Sequence, residues 1–476
     1  MILARAADRH GLTVRILDLN IEYFRSFQHA STTVESAVLG DHGKDRAFLV
    51  AAAEHFFRST NLPADEALHL PDTADAIAGM HFGFETLARA TAEDSAFWSG
   101  WLEDALSHAA AVPPPVVGIS VMGPSQVFVA LVVARLVKRR WPRSVTVLGG
   151  SHVTLLAAEM GGDPRYLEHV DVVLPGHSEE EFAALVASVR KGRRRSAPGI
   201  AAPPSPARSF DYHPLATAEQ LRSYDPATLT MPLQFTRGCS YGRCTFCTYP
   251  VVEPVVTPLH AARAAETIGA LAGEHGLTRF SVKDSLFTVP MMIALAEALT
   301  AAGIRAQWSA TTKATRSLIA HAPRLAAAGL VTLEIGVETV HPDGQRLFDK
   351  TADPGMIEDV VHACTDSGIA VVVNLIFGLP GESLGQAERQ LDWFVRQRDR
   401  APAGMVDGSL NMLEIVRGSP LELRPPAEVD LYGVAPWAYC YAWNAPAWRP
   451  EFAGHLRTME TRQTVLTRPA AACADP

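Results

Sequence analysis

The sequence predicts an α/β protein of two successive domains, each a parallel sheet built from βα units. Short apolar strand candidates alternate with helical patterns and close on Gly, Ser or Asp. A stretch rich in Arg, Pro, Ala and Ser, from about Lys191 to Pro206, divides two such series. The chain has 476 residues, which at roughly 150 per domain allows two or three domains. This alternation sets the strands side by side and parallel, with ligands at their C-terminal edge.

Taken in order, Met1 to His10 has helical character, Gly11 suits a helix end, and Thr13 to Leu17 reads as a short strand ending at Asp18. A strand would normally precede that helix. The first sheet is therefore expected to lack its first strand, through either a mis-assigned start codon or an unusual sheet edge. Ile21 to Ala111 is mostly helical, with breaks near His42 and Pro71, and stops at Pro113-Pro114-Pro115. Val116 to Ser120 is then a strand, Gln126 to Arg140 a helix, Val145 to Leu148 a strand closed by Gly149-Gly150, and Val170 to Leu174 a strand closed by Pro175-Gly176. Residues 1–190 are thus expected to form a doubly wound sheet. A linker over 191–230 follows; its Arg193-Arg194-Arg195 run reads as solvated rather than as a nucleic-acid contact. Strand candidates Leu233 to Thr236, Arg279 to Val282, Ala306 to Ala310, Thr332 to Gly336 and Ala370 to Phe377 make 231–425 a second α/β domain, an open or closed barrel. Residues 426–476 are dense in aromatics: Trp437, Tyr439, Tyr441, Trp443 and Trp448.

Composition narrows the functional classes. Hydrophobic residues at 48% and charged residues at 20% describe a globular chain with large cores. Forty-two Lys and Arg against fifty-one Asp and Glu disfavour broad contact with nucleic acid or an anionic membrane, though a local basic pocket stays open. The apolar run Val127 to Val137 is broken by Arg135 and is shorter than the roughly 20 residues of a membrane span. Arg5, Asp8 and Arg9 precede any apolar signal core, so a cytoplasmic protein is expected.

Six cysteines are too few for a disulfide scaffold, yet Cys239, Cys244 and Cys247 lie within nine residues on a loop that follows a strand candidate. Three thiolates so spaced can hold three corners of an iron–sulfur cube and leave one iron open to chemistry. Structural zinc is the alternative, but it needs a fourth ligand and the nearest is His260. Cys364, inside the helical pattern Met356 to Ser367, reads as core, and Cys473 as part of a tail.

With Phe246 before the third cysteine, this segment resembles the loop of the radical S-adenosylmethionine (SAM) superfamily, although four residues rather than three separate the first two cysteines. Arg237-Gly238 before the first cysteine and Thr245-Phe246 following the second are similar to the cobalamin-binding subgroup. Further segments resemble that family in its order: Phe280 to Ser285, Leu333 to Thr339 and Asn374 to Glu382. The resemblance covers about Pro232 to Pro420 and implies a partial (β/α)6 barrel. It also implies that Cys239, Cys244 and Cys247 bind a [4Fe-4S] cluster, with Asp284, Ser285, Glu334, Glu338 and Gly378 around SAM. Lys313 and Arg316 are candidates for the methionyl carboxylate, or simply solvated cations. Each segment alone has a bland reading: a tight turn at Gly378, or an exposed strand face at Glu334 and Glu338.

The first domain resembles the Rossmann-like cobalamin-binding domain of the same subgroup through Asp18-Leu19-Asn20, Gly118-Ile119-Ser120, Gly149 to His152 and Gly176 to Glu179, although His177 and Ser178 depart from the usual acidic pattern. Ser120, Val121, Met122, Gly149, Gly150, His152 and Gly176 are the implied cobalamin contacts, with Val121, Met122 and Gly123 near the lower face of the corrin. No Asp-x-His-x-x-Gly motif occurs, so a His ligand on cobalt is not expected, and His152 reads as a hydrogen-bond partner of the cofactor's side chains. The resemblance implies a C-methyltransferase acting on an unactivated carbon of a peptide or small-molecule natural-product intermediate. A flavodoxin- or ferredoxin-type donor would supply electrons, and substrate would enter between the domains. A cobalamin-dependent ring contraction, cyclisation or rearrangement is the alternative enzyme, and a cobalamin or iron–sulfur sensor the alternative of another class. The C-terminal aromatics are read equally as a lid over the barrel and as packing against it.

Overall fold

The computed structural model describes residues 7, 10–19, 22, 96–165, 168–192, 199–200, 221, 229–350, 353–432 and 438–460. Most of the Met1 to His10 and Ile21 to Ala111 helical readings, the Arg193-Arg194-Arg195 run, Trp437 and Cys473 lie outside them. The chain divides into two compact units. The first is 1–215 with 416–418 and 431–442, and the second is 216–415 with 419–430 and 443–476. The sequence places every residue of 426–476 in one C-terminal region; the structure instead gives two short pieces beyond 415 to the first unit.

In the first unit, α1 (Ala96–Ala109) precedes β1 (Val116–Ser120), α2 (Val127–Arg140), β2 (Val145–Gly149), α3 (Ser151–Leu155), α4 (Ala157–Gly162), β3 (Val172–Leu174), α5 (Glu179–Arg190) and β4 (Gly199–Ile200). The strands are parallel and in chain order β1-β2-β3-β4. Among the described strands there is no reversal of order, which is what makes a sheet doubly wound. Thr13 to Leu17, expected as a strand, is not assigned to a strand among the described residues; Leu17 packs beside Val117 and the α1–α2 core. The apolar run that is too short for a membrane is α2, apolar on two sides because it is covered on two sides. Leu131 and Ala134 pack with Leu148 and Val173, and Val133 and Leu136 with Leu102 and Leu106 of α1. On another face, Phe182 of α5 packs against Val147, Val172 and Leu174.

The second unit holds β5 (Met231–Leu233), α6 (Tyr249–Val252), α7 (Ala261–His275), β6 (Arg279–Val282), α8 (Val289–Ala301), β7 (Gln307–Lys313), α9 (Arg316–Ala327), β8 (Leu330–Glu338), α10 (Pro342–Leu347), α11 (Pro354–Asp366), β9 (Ala370–Phe377), α12 (Leu384–Arg400) and β10 (Val406–Met412). All six strands are parallel, in the order β10-β9-β8-β7-β6-β5. The ends of this sheet do not pair, so it is the partial barrel that the resemblance implies. Strict alternation along β7 buries Trp308, Ala310 and Thr312 on one face and leaves Ser309, Thr311 and Lys313 half-buried on the other. Helix α12 starts with a capping box between Ser383 and Gln386. Cys364 is fully buried in α11. β10 was not among the strand candidates, because Asp407, Gly408, Ser409 and Asn411 break the apolar pattern there. Beyond it come β11 (Ile415–Val416), α13 (Pro420–Leu423), β12 (Leu431–Tyr432), β13 (Cys440–Trp443) and α14 (Arg449–Glu460), with the short strands ordered β11-β13-β12. No described helix is long and apolar enough to cross a membrane.

Gly150 joins β2 to α3 at φ +111°, and a β-carbon there would lie 2.2 Å from the Val121 carbonyl oxygen. The glycine that the sequence ascribes to ligand approach is thus needed first by the chain itself. Gly150→Ala is expected to cost about 2 kcal/mol or more of unfolding free energy in urea, since it adds both a disfavoured φ and an overpacked contact.

Candidate active site

The segment that carries the three cysteines has little regular structure, and two carboxylates, buried Asp284 and half-buried Glu253, anchor its start. Past the end of β6, Asp284 accepts from the Phe235 N–H at 2.8 Å with Oδ1, and from the Thr236 N–H at 2.9 Å and hydroxyl at 2.6 Å with Oδ2. Burial pushes its carboxyl up to about 6 although these three donors pull it down. Asp284, expected beside SAM, thus spends both oxygens on the chain leading into the cysteine loop. Glu253 receives the Gly238 N–H at 2.9 Å, the Ser285 hydroxyl at 2.9 Å and the Gln234 amide at 3.1 Å. The Arg237 N–H donates to the Thr257 hydroxyl at 2.8 Å, and the Thr257 N–H returns to the Arg237 carbonyl at 3.0 Å.

Within the loop the extra residue is absorbed by a backward turn. The Gly242 N–H points at the Cys239 sulfur at 3.5 Å, and the Tyr249 N–H at the Cys247 sulfur at 3.4 Å. Burial pushes the Cys244 thiol up and the Cys247 thiol up to about 11, so ligation must release protons. The three cysteines are half-buried and unbridged. Among the described residues, no three His, Cys, Asp or Glu side chains converge closely enough to hold a single ion. Three thiols on one loop are the donor type of a [4Fe-4S] cluster, in which each thiolate binds its own iron.

The far side of the loop is stitched to residues after α10. The Tyr241 hydroxyl donates to the Asp349 carbonyl, the Thr245 hydroxyl to the Leu347 carbonyl at 2.8 Å, and Phe246 meets Phe348 edge-on at 4.8 Å. The Lys313 ammonium lies 3.5 Å from the Tyr241 ring centroid, so this candidate cation also holds the loop. Arg316 is exposed at the start of α9. Lys350 was not a sequence candidate. Its ammonium donates to the Gly336 carbonyl at 2.8 Å and to Glu338 Oε1 at 2.9 Å, both side chains being largely buried, and its charge acts on the Cys244 thiol. Glu338 itself sits at φ +65°, where β8 loses its even register with β9.

Along the half-buried face of the barrel, Glu334 accepts from the Asn374 amide at 2.9 Å and, at 3.4 Å, from the Thr311 hydroxyl. The Asn374 carbonyl oxygen is buried without a hydrogen-bond partner among the described residues, an acceptor of the kind a ribose hydroxyl needs. At Gly378, Glu382 Oε2 receives the N–H groups of Gly378 at 2.6 Å and Leu379 at 3.0 Å. The Gly378 α-carbon is covered: a β-carbon would lie 2.8 Å from Arg449 of α14. Trp448 donates to the Glu382 carbonyl at 3.1 Å, Phe452 packs on Phe377 at 5.4 Å, and Trp443 is buried. For these aromatics, packing against the barrel is what the structure records.

In the first unit the loops after β1 and β2 are knitted together. The Val121 N–H donates to the Gly149 carbonyl at 2.8 Å, the His152 N–H to the Val121 carbonyl at 3.3 Å, and the Ser151 hydroxyl to the Met122 carbonyl at 2.7 Å. Ser120 and Met122 are exposed, the Met122 side chain strongly so. The Gly176 N–H donates to the Thr154 hydroxyl at 2.8 Å, joining the third loop to the same edge. His152 is 2% exposed and its Nδ1 has no hydrogen-bond partner among the described residues; burial pushes the imidazole down to about 4. An exposed loop beside a desolvated, unpartnered nitrogen fits an amide-rich cofactor.

Residues 233–394 match the family model described as the radical SAM superfamily. The barrel is a radical SAM domain. Among solved structures, the chain is similar to the radical SAM methyltransferase TsrM from Kitasatospora setae with tryptophan substrate and a SAM analogue bound. That match has a TM-score of 0.57 at 15% identity and covers 76% of this chain and 80% of TsrM; TsrM has also been solved with cobalamin and a [4Fe-4S] cluster bound. It is also similar to the cobalamin-dependent SAM radical enzyme OxsB with aqua-cobalamin and SAM bound. There the TM-score is 0.60 at 14% identity, with 76% of this chain and 60% of OxsB covered. At these identities the likeness is one of fold. No curated protein matches the chain in sequence.

Two outcomes follow for the radical SAM domain and the first unit. Lys350→Met is expected to lose about 3–5 kcal/mol in urea unfolding by leaving Glu338 buried and unpaired, and adding Glu338→Gln should recover most of it. For His152, the folded value lies below the ordinary one of roughly 6.5, so the unfolded chain takes up the proton first as pH falls. Stability present above about pH 6.5 should be lost progressively down to about pH 4, by on the order of 3 kcal/mol. His152→Gln should remove that part of the pH profile.

Proposed function

We infer that this chain is a cobalamin-dependent radical SAM C-methyltransferase that methylates an unactivated carbon of a peptide or small-molecule natural-product intermediate. The observation that carries the reading is the cysteine loop: three half-buried thiols over a partial barrel, in a chain that also holds a parallel sheet with the glycine- and His-bearing edge of a cobalamin site. Relatives of the same fold have been solved with these cofactors. When bound, the cluster with SAM supplies a one-electron route to a carbon radical, and cobalamin supplies a methyl carrier.

The chain's own residues then have definable tasks. Asp284 and Glu253 hold the start of the loop through backbone N–H groups, which fixes where the thiolates stand. Lys350 and Glu338 form a buried pair near Cys244 whose charges act on that thiol in opposite senses, Lys350 lowering and Glu338 raising it. Asn374 Oδ1 and Glu334 are acceptors for ribose hydroxyls, and the Phe246–Phe348 contact keeps water from the loop.

Anaerobically purified, cluster-reconstituted protein from cobalamin-supplied cells is expected to hold about four iron and about one cobalt per chain. It should release 5′-deoxyadenosine from SAM under dithionite. Cys244→Ala should abolish that release, with iron falling below about three per chain. Candidate substrates supplied with methyl-labelled SAM should gain the label; 5′-deoxyadenosine with an isomerised, unlabelled product would instead establish the rearrangement.

A further inference from the structure

The first unit is completed by pieces of chain that follow the radical SAM domain. Residues 416–418 and 431–442 belong to it, and Arg417 ties them down. Its guanidinium pairs with Glu159 of α4 at 3.1 Å, the side chains 14% and 28% exposed. Its Nε donates to the Ala438 carbonyl, its N–H donates to the Tyr439 carbonyl at 3.0 Å, and its charge lies 5.1 Å from the Tyr441 ring centroid. The residue held by this clamp is Tyr439. Its ring stacks on His152 with centroids 5.1 Å apart and planes at 30°.

His152 stands at the β2 end of the ligand edge, its backbone bonded to Val121, and its Nδ1 is buried without a hydrogen-bond partner among the described residues. A desolvated imidazole nitrogen calls for a partner, and a ligand outside the chain is one group that completes it. The corrin ring is rimmed with amide side chains, which donate and accept. Stacking by an aromatic ring keeps the imidazole dry and restricts its rotation, so it meets such an amide already oriented.

We propose that Tyr439, delivered by the C-terminal segment and clamped by Arg417, is a positioning residue of the cobalamin site, holding His152 so that its Nδ1 receives an amide of the corrin rim. The proposal rests on the cobalamin reading above. It makes the segment 438–442 part of the cofactor site, whereas the sequence offers it only as lid or packing.

The test is titration of the cluster-loaded, cobalamin-free full chain with hydroxocobalamin, followed by quenching of tryptophan fluorescence and by cobalt retained after gel filtration. Tyr439→Phe, which keeps the ring, should bind within about twofold of wild type. Tyr439→Leu and His152→Phe should each bind at least about tenfold more weakly. The Tyr439→Leu/His152→Phe double variant should bind no more weakly than His152→Phe, because Tyr439 acts through the imidazole. A general loss of packing would make the two effects add, and additivity overturns the proposal. So does wild-type affinity in Tyr439→Leu. Iron content should be the same in all variants, which reports an intact radical SAM domain. If wild type loads iron but binds no cobalamin, the cobalamin reading itself fails; if it binds and Tyr439→Leu binds equally, that reading stands and this one falls.

Discussion

A loop proposed to present three thiols to one inorganic cube has too few backbone hydrogen bonds of its own to keep its shape. Here the constraint is met from outside the loop. Asp284 and Glu253 take the N–H groups of Phe235, Thr236 and Gly238, while Asp349 and Leu347 carbonyls take the hydroxyls of Tyr241 and Thr245. Two carboxylates on one side and two carbonyls on the other hold the segment between β5 and α6. Burying such groups is costly unless they are paired, and the raised carboxyl of Asp284 records that cost.

The same logic explains the Lys350–Glu338 pair. A buried ion pair adds little net stability, but breaking it leaves one charge stranded. Its value lies in location: it is where a half-buried thiol needs a nearby cation and where β8 departs from regular pairing. Strain at Glu338 is held by the strand before it and the lysine after it.

In the first unit, the strand-end glycines answer first to the chain. Gly150 makes room for the Val121 carbonyl, and Gly118 for the ring of Phe182 at 3.1 Å. What marks this edge for a ligand is the exposed Met122 and the desolvated His152. A C-terminal tyrosine covers that histidine, so the first unit's edge cannot be understood from its first 215 residues alone.

What the sequence by itself determined is what local patterning encodes. The strands Val116–Ser120, Arg279–Val282 and Ala370–Phe377 are apolar runs punctuated by turn residues. The three cysteines are readable because ligand spacing on one loop is a local property. β10 escaped because polar residues interrupt it, and Thr13 to Leu17 carries the apolar pattern of a strand without being assigned to one among the described residues. Only the tertiary structure decided the rest. Glu253 reaches Ser285 across 32 positions, Lys350 reaches Glu338 across 12, and Arg417 reaches Glu159 across 258. A lone Glu, Lys, Arg or Tyr carries no mark of its partner; its role arises when folding removes it from water beside a group that has no other partner.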